Sequence, residues 1–181
     1  TGRVGAGGMG VVYRAVHLEL GSEVAVKTIR PELVADDDVY ERFVREARNA
    51  AQLETSHVAK VFDFGRMPGG SPYLVMELLH GESLGARMKR GPLSNEEAAK
   101  YLLEACAGLA DAHGRGIIHR DLKPDNLFLS NIAEGESELK LLDFGIAKSL
   151  KFTRSLTMVG GGVGSPNYMS PEQMRSRTDL D

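Results

Sequence analysis

The stretch IIHRDLKPDNLFL (residues 117–129) places a dense group of polar side chains between two short apolar segments. The polar middle surrounds a proline and contains Arg120, Asp121, Lys123, Asp125 and Asn126. A solvent-exposed surface loop could have this composition. A loop whose charges all reach one reacting group could have it too, so the rest of the chain has to distinguish the two interpretations.

Composition sets the first limits on function. The chain has 181 residues, 42% of them apolar, and a net charge of −3, a balance that gives no support to nucleic-acid binding. Its single cysteine excludes an internal disulfide and is consistent with a reducing compartment. Neither a signal peptide nor an apolar run of membrane-spanning length is visible. We therefore expect a cytoplasmic domain without a membrane segment, and membrane attachment through segments outside this chain stays open.

The first part of the chain has the pattern of a β-sheet with one helix. RVGAGGMGVVYRAVHLE predicts a strand, a glycine turn and a returning strand, and SEVAVKTI predicts a third strand. Apolar residues at helical spacing between Val39 and Leu53 predict a helix, and VAKVFDFG and PYLVMELL predict two more strands. HGESL is expected to be a linker. Two lobes joined near residues 77–81 are the natural interpretation.

The second part begins with a helix that a capping box of Ser94 and Glu97 predicts. An apolar stripe on this helix predicts that Cys106 is a core residue, with a reactive thiol as the minor alternative. After the opening loop come a predicted strand NLFL, a polar excursion SNIAEGESE and a strand LKLLDFG. A segment rich in Ser, Thr and Gly then runs to Pro171.

Gly5, Gly7 and Gly10 form a G-x-G-x-x-G pattern, which alone is a weak signal. A dinucleotide-binding turn has the same glycines, but a helix follows it, whereas VVYRAV is strand-like. A glycine hairpin tip can approach phosphates because no Cβ blocks the backbone, and a hairpin without a ligand is the alternative. Lys27 ends an apolar strand, where a lysine is costly without an anionic partner. Glu46 is the predicted partner, and two solvated charges are the alternative.

HRDLKPDN and DFG (residues 143–145), together with the glycine loop and VAVK, make the sequence resemble a eukaryotic-like (Hanks-type) serine/threonine protein kinase. GAGGMG, REARNAAQL, DFGIAK and YMSPEQ are most similar to the bacterial branch. The resemblance implies an α+β fold of two lobes: an antiparallel N-lobe sheet with one helix (residues 1–79), then the first part of a mainly helical C-lobe (residues 80–181). Because such kinases continue further, we expect a partial sequence, or else a truncated kinase.

The resemblance also implies a role for each residue that matches a family motif. Asp121 and Lys123 would be catalytic, Asn126 and Asp143 would hold Mg²⁺ or Mn²⁺, and His119 and Phe144 would pack in the core. ATP would be bound by the glycine loop, the lysine strand, the first helix through Glu46, the hinge at residues 76–79 and one C-lobe strand: Gly5, Gly7, Gly10, Val12, Ala25, Lys27, Glu46, Met76, Glu77, Leu79 and Phe128.

Substrate class and regulation are implied in the same way. Lys123 favours protein serine/threonine substrates, and residues 164–172, including Ser165, resemble a loop that receives a protein substrate. Arg120 implies activation by phosphorylation after the DFG motif, with Thr153, Ser155 and Thr157 as candidates and Thr157 as the main one. The alternatives are a non-catalytic nucleotide-binding pseudokinase scaffold and a small-molecule kinase. We expect the 181-residue chain alone to be poorly soluble and nearly inactive.

Overall fold

The computed structural model describes residues 2–7, 10–30, 37–144 and 166–174. Within them lie eight strands: β1 Gly2–Gly7, β2 Gly10–Val16, β3 Glu23–Ile29, β4 Val61–Arg66, β5 Pro72–Glu77, β6 Gly81–Ser83, β7 Leu127–Ala133 and β8 Glu136–Leu141. The described α-helices are α1 Asp37–Ala51, α2 Leu84–Met88, α3 Asn95–Gly114 and α4 Pro171–Met174, and short 3-10 helices lie at Pro124–Asn126 and Pro166–Tyr168. The first five strands form one antiparallel sheet in the order β1-β2-β3-β5-β4, and the last three form a second.

The helix α1 packs on the five-stranded sheet through the apolar positions that the sequence predicted. Val39, Phe43, Ala47 and Ala50 are all buried, at helical spacing. Phe43 is completely buried and belongs to the same core cluster as Ile29 of β3 and Leu74 of β5. The predicted combination of an antiparallel sheet and one helix is therefore present in this half of the chain.

The two sheets are joined by backbone contacts as well as by the continuous core. The N–H of Ala59 donates to the carbonyl of Leu141 (3.0 Å), and the N–H of Leu141 donates to the carbonyl of His57 (2.8 Å). The segment before β4 thus lies along the strand that leads to Asp143. The division into lobes at residues 79 and 80 stays a prediction.

The helix α3 begins with the predicted capping box but buries a different face than predicted. Ser94 Oγ accepts from the N–H of Glu97 (3.1 Å), and Glu97 Oε2 accepts from the N–H of Ser94 (2.9 Å). Cys106 is exposed, so its prediction as a core residue was wrong. The buried face follows Tyr101, Ala105, Gly108 and Ala112.

Close approach at Gly108 explains this choice of face. A Cβ on Gly108 would lie 2.8 Å from a methyl group of Leu141 and 3.0 Å from the carbonyl oxygen of His57. The helix therefore crosses β8 through a residue that has no side chain, and the apolar stripe through Cys106 is rotated away from the sheet. Leu102 and Leu103 accordingly stay exposed.

Two segments have more regular structure than the sequence predicted. HGESL forms β6 and starts α2, with Ser83 Oγ accepting from the N–H of Ala86 (3.1 Å) as an N-cap. The polar excursion SNIAEGESE is a β-hairpin in which β7 and β8 continue to a two-residue turn. Gly135 in that turn has φ 76°, a left-handed conformation that glycine adopts without strain.

Candidate active site

The centre of the candidate site is the carboxylate of Asp121, which two neighbouring side chains hold. Lys123 Nζ donates to Asp121 Oδ2 at 2.9 Å, and Asn126 Nδ2 donates to the same oxygen at 3.1 Å. Asn126 Nδ2 also donates to the backbone carbonyl of Asp121 at 2.8 Å, which closes the loop on itself. The Asp121 and Lys123 side chains are only 14% and 15% exposed, so their attraction is less screened than that of a surface pair.

The catalytic-loop segment and the DFG segment are tied together by their backbones. The N–H of Leu142 donates to the carbonyl of Asn126 at 2.9 Å. Asn126 and Asp143 therefore come from adjacent chain segments. The Oδ1 oxygen of Asn126 accepts no hydrogen bond within the described ranges, and Asp143 supplies a carboxylate. These are the hard oxygen ligands that Mg²⁺ or Mn²⁺ prefers, so the residues present fit such an ion.

Lys27 pairs with Asp143, not with Glu46 as predicted. Its Nζ lies 2.5 Å from Asp143 Oδ1, and the two side chains are 11% and 24% exposed. Burial acts to raise the pKa of Asp143, but the Lys27 ammonium outweighs it and lowers the pKa below its usual range. Glu46 is buried on α1, as its helical position predicted, but its nearest cation within the described residues is Arg45 at 4.0 Å.

Four of the residues predicted to contact a nucleotide lie on one face of the five-stranded sheet. Strand register pairs Val12 with Lys27, and Ala25 with Met76. Directly paired residues share a face, and so do alternate residues of one strand, so all four side chains face the same way. Gly5, Gly7 and Gly10 belong to the β1–β2 hairpin, whose tip at residues 8–9 lies outside the described residues.

Gly10 has a structural requirement of its own. A Cβ there would lie 1.7 Å from the carbonyl oxygen of Thr28 on β3. This glycine is thus needed for sheet packing, whatever the loop binds.

The end of β5, where the predicted connection between the two lobes begins (residues 77–81), is held by an ion pair that sequence reasoning missed. Lys140 Nζ of β8 lies 3.1 Å from Glu77, at the end of β5, and Lys140 is buried. Phe128 pairs with Lys140 across β7 and β8, so its ring is on the same sheet face as the lysine that contacts Glu77. The N–H of Leu79 makes no hydrogen bond within the part of the chain described, which leaves it free for a ligand. A lysine between leucines in LKLL was the available signal, as in VAVK.

His119 packs in the core, as predicted, and is held in one neutral form. Its ring lies 4.6 Å from the ring of Phe144, with both side chains buried. Nε2 lies 2.9 Å from the carbonyl of Leu142 and must donate there, while Nδ1 accepts from the N–H of Asp121 at 3.3 Å. Burial lowers the pKa of His119 more than the neighbouring hydrogen bonds and carboxylates raise it.

We expect His119 to make the protein less stable in mild acid. Because its folded pKa lies below the unfolded value of about 6.5, the unfolded chain binds more protons below that pH. The contribution of neutral His119 to the free energy of unfolding is therefore complete above about pH 6.5. Below that pH it falls by up to about 1.4 kcal/mol per pH unit. The midpoint temperatures of thermal unfolding of the wild-type protein and of His119→Phe should differ less at pH 5.5 than at pH 7.5. An equal difference at both pH values would contradict this.

Four predicted regulatory or substrate-loop residues, and the last residue of the DFG motif, lie outside the described residues. Thr153, Ser155, Thr157 and Ser165 fall within residues 145–165, and Gly145 of the DFG motif falls there too. Arg120 is described: its side chain is exposed and forms no ion pair within the described ranges, and its backbone has φ 61°. Asp143 likewise has φ 60°, so both strained residues flank or belong to the candidate site.

None of the described helices has both the length and the apolar character that a membrane span requires.

The sequence is similar to those of known protein kinases, as the geometry of the site suggests. The sequence profile of the family described as "Protein kinase domain" matches residues 1–180. Serine/threonine-protein kinase pkn2 of Myxococcus xanthus is 43% identical over 98% of this chain and 22% of its own length. Serine/threonine-protein kinase PknB of Mycobacterium tuberculosis is 39% identical over 95% of this chain and 28% of its own length.

Solved structures give the same answer for the fold. The PknI kinase domain of Mycobacterium tuberculosis superposes with a TM-score of 0.79 at 28% identity, over 99% of this chain and 65% of that one. The chain spans about a quarter of the length of these curated relatives. The predicted α+β kinase fold is confirmed, and the chain belongs to the protein kinase domain family, with bacterial serine/threonine protein kinases among its relatives.

Proposed function

We propose that the protein transfers the γ-phosphoryl group of ATP to serine and threonine hydroxyls of protein substrates. One observation carries this proposal: the Asp121 carboxylate, the Lys123 ammonium and the Asn126 amide meet within 3.1 Å, beside the segment that bears Asp143. An acceptor for a proton, a cation and oxygen ligands for a metal are the groups that phosphoryl transfer requires.

In this proposal Asp121 and Lys123 have different roles in the reaction. Asp121 orients the substrate hydroxyl and accepts its proton as a new bond forms from the hydroxyl oxygen to the γ-phosphorus. The bond from that phosphorus to the bridging oxygen breaks, and ADP leaves with the bonding electrons. Lys123 offsets charge on the transferring group, since its ammonium already lies next to Asp121.

Nucleotide binding would use both sheets. Val12 and Ala25 would cover one side of the adenine and Phe128 the other, with Met76 behind it and backbone groups of Glu77 and Leu79 at its edge. Lys27 would contact the α- and β-phosphates, and the backbone of Gly5, Gly7 and Gly10 would approach them. A Mg²⁺ ion held by Asn126 and Asp143 would neutralise phosphate charge during transfer. Lys27, whose Nζ lies 2.5 Å from Asp143 Oδ1, would then contact the phosphates instead of Asp143.

We also propose regulation by phosphorylation within residues 145–165, because the exposed Arg120 guanidinium has no carboxylate partner in the described residues. A phosphate on Thr157, or on Thr153 or Ser155, would supply that partner. Thr157→Ala is expected to lower activity about tenfold or more, and by a larger factor than Thr153→Ala or Ser155→Ala, because Thr157 is the main candidate site. Mass spectrometry of fully active protein that finds no phosphate between residues 149 and 165 would refute the regulation.

The test of the proposed function uses the intact protein, labelled ATP, Mg²⁺ and a generic basic protein. Acid hydrolysis of the product should release phosphoserine and phosphothreonine. Phosphotyrosine as the main product would refute the substrate class, and label on small molecules alone would favour a small-molecule kinase. Tight ATP binding without any transfer would favour a pseudokinase scaffold. A cytoplasmic location is part of the proposal, because ATP and reducing conditions coincide there.

A further inference from the structure

The short helix α4 is held by a capping box in the sequence SPEQ (residues 170–173). Ser170 Oγ accepts from the N–H of Gln173, and Gln173 Oε1 accepts from the N–H of Ser170, both at 3.3 Å. Pro171 is the first helical residue, where it costs no hydrogen bond. The reciprocal bonds fix which way the Gln173 amide points, because its oxygen is committed to the cap.

The nitrogen of the same amide reaches the catalytic loop. Gln173 Nε2 donates to the carbonyl oxygen of Arg120 at 3.1 Å, across 53 residues of sequence. That carbonyl belongs to the peptide unit that joins Arg120 to Asp121. The other end of this unit is also bonded, because the N–H of Asp121 donates to the carbonyl of His119 at 2.8 Å.

This peptide unit, which is hydrogen-bonded at both ends, lies where the backbone is strained. Arg120 has φ 61°, a left-handed conformation that is unfavourable for a residue with a long side chain. Such conformations persist only where the surroundings hold them, and they cluster at functional sites. Here His119 holds the N–H end of the unit and Gln173 holds the carbonyl end. The direction in which the Asp121 side chain leaves the backbone depends on both bonds.

We propose that Gln173 is a positioning residue for phosphoryl transfer: it fixes the Arg120–Asp121 peptide unit and thereby couples the segment of residues 166–174 to the catalytic aspartate. The inference rests on the proposed function, because it assigns Asp121 to the reaction. Gln173 itself touches neither of the reacting groups. Its contribution should appear in kcat and not in the KM for ATP, since no nucleotide-contacting residue is involved.

Gln173→Glu and Ser170→Ala separate this role from simple helix capping. A glutamate at position 173 keeps the oxygen that caps Ser170 but replaces the donor with an oxygen facing the Arg120 carbonyl. Ser170→Ala removes half of the cap and leaves the Gln173–Arg120 bond in place. In the intact protein, Gln173→Glu should lower kcat about five- to thirtyfold with the KM for ATP changed less than about twofold. Ser170→Ala should lower kcat less than about threefold.

Hydrogen exchange provides a readout that does not need activity. Exchange of the Asp121 amide should be about tenfold faster in Gln173→Glu than in the wild type, and nearly unchanged in Ser170→Ala. Equal kcat and equal exchange in Gln173→Glu and wild type would overturn the inference. Equal losses in both variants would overturn it too, because they would indicate helix capping alone. An inactive wild type would refute the proposed function, and the exchange comparison would still decide the role of Gln173.

Discussion

Asp121→Asn is expected to lower kcat for phosphoryl transfer by about 10²–10⁴-fold while leaving ATP binding almost unchanged. The amide keeps the shape of the carboxylate, and its oxygen can still accept from Lys123 and Asn126, which lie 2.9 and 3.1 Å from Asp121 Oδ2. It cannot accept a proton at neutral pH, and it removes the negative charge that the Lys123 ammonium faces. Initial rates of transfer and ATP titrations on the same preparation measure the two effects separately.

Asp125→Asn is the matched control for this experiment. It makes the same chemical change four residues away, at an exposed side chain with no ion pair in the described residues. Its kcat should stay within about twofold of the wild type. Comparable losses in the two variants would show that the loop tolerates neither change and that Asp121 has no special role.

The second large effect is expected for Asp143→Asn, which should lower kcat about 10²-fold or more and raise the Mg²⁺ concentration needed for half-maximal activity. The loss of a carboxylate weakens the metal site, because a neutral amide is a poorer ligand for a hard cation. The backbone should survive the change, since asparagine tolerates the φ of 60° at this position. Activity measured across a Mg²⁺ titration gives both quantities.

Asp63→Asn controls for the loss of an aspartate elsewhere. Asp63 is an exposed residue of β4 whose carboxylate, within the described part of the chain, accepts only from the N–H of Phe64, at 2.8 Å. Its activity and Mg²⁺ dependence should match the wild type. An unchanged Mg²⁺ requirement in Asp143→Asn would contradict the assignment of Asp143 as a metal ligand.

The elements were predictable where local pattern and local chemistry agree. Alternation and turn residues predicted β1 to β5, and Ser94 with Glu97 predicted the first turn of α3, because both signals involve neighbours in sequence. The clustering of Asp121, Lys123 and Asn126 was likewise accessible, since all three belong to one short loop. The spatial relation between this loop and Lys27 came from the family resemblance and not from spacing.

The wrong predictions depended on distances between elements, which sequence spacing does not fix. Cys106 and Gly108 are two residues apart on α3, and the close approach of the helix to β8 selected the face with the glycine. Glu46 is on the predicted face of α1, but its carboxylate is not within ion-pair distance of the Lys27 ammonium. Lys27 pairs with Asp143 instead. The β7–β8 hairpin was missed because its polar residues lie on strands that are partly exposed.

Two contacts were missed although the sequence held a signal for each. Lys140 occupies an apolar strand context, which should have predicted an anionic partner such as Glu77. Ser170 and Gln173 fit the capping-box pattern S-x-x-Q, which predicts the cap of α4 but not the bond from Gln173 to the Arg120 carbonyl. In both cases the partner or the consequence lies far away in sequence.

The most direct test of the central claim compares ATP labelled in the γ-phosphate with ATP labelled in the α-phosphate. Both are incubated with Mg²⁺, the basic protein substrate and either the intact wild-type protein or Asp121→Asn. The account predicts protein-bound label on serine and threonine from γ-labelled ATP only, and almost none with Asp121→Asn. Protein-bound label from α-labelled ATP, or undiminished γ-label with Asp121→Asn, would contradict it.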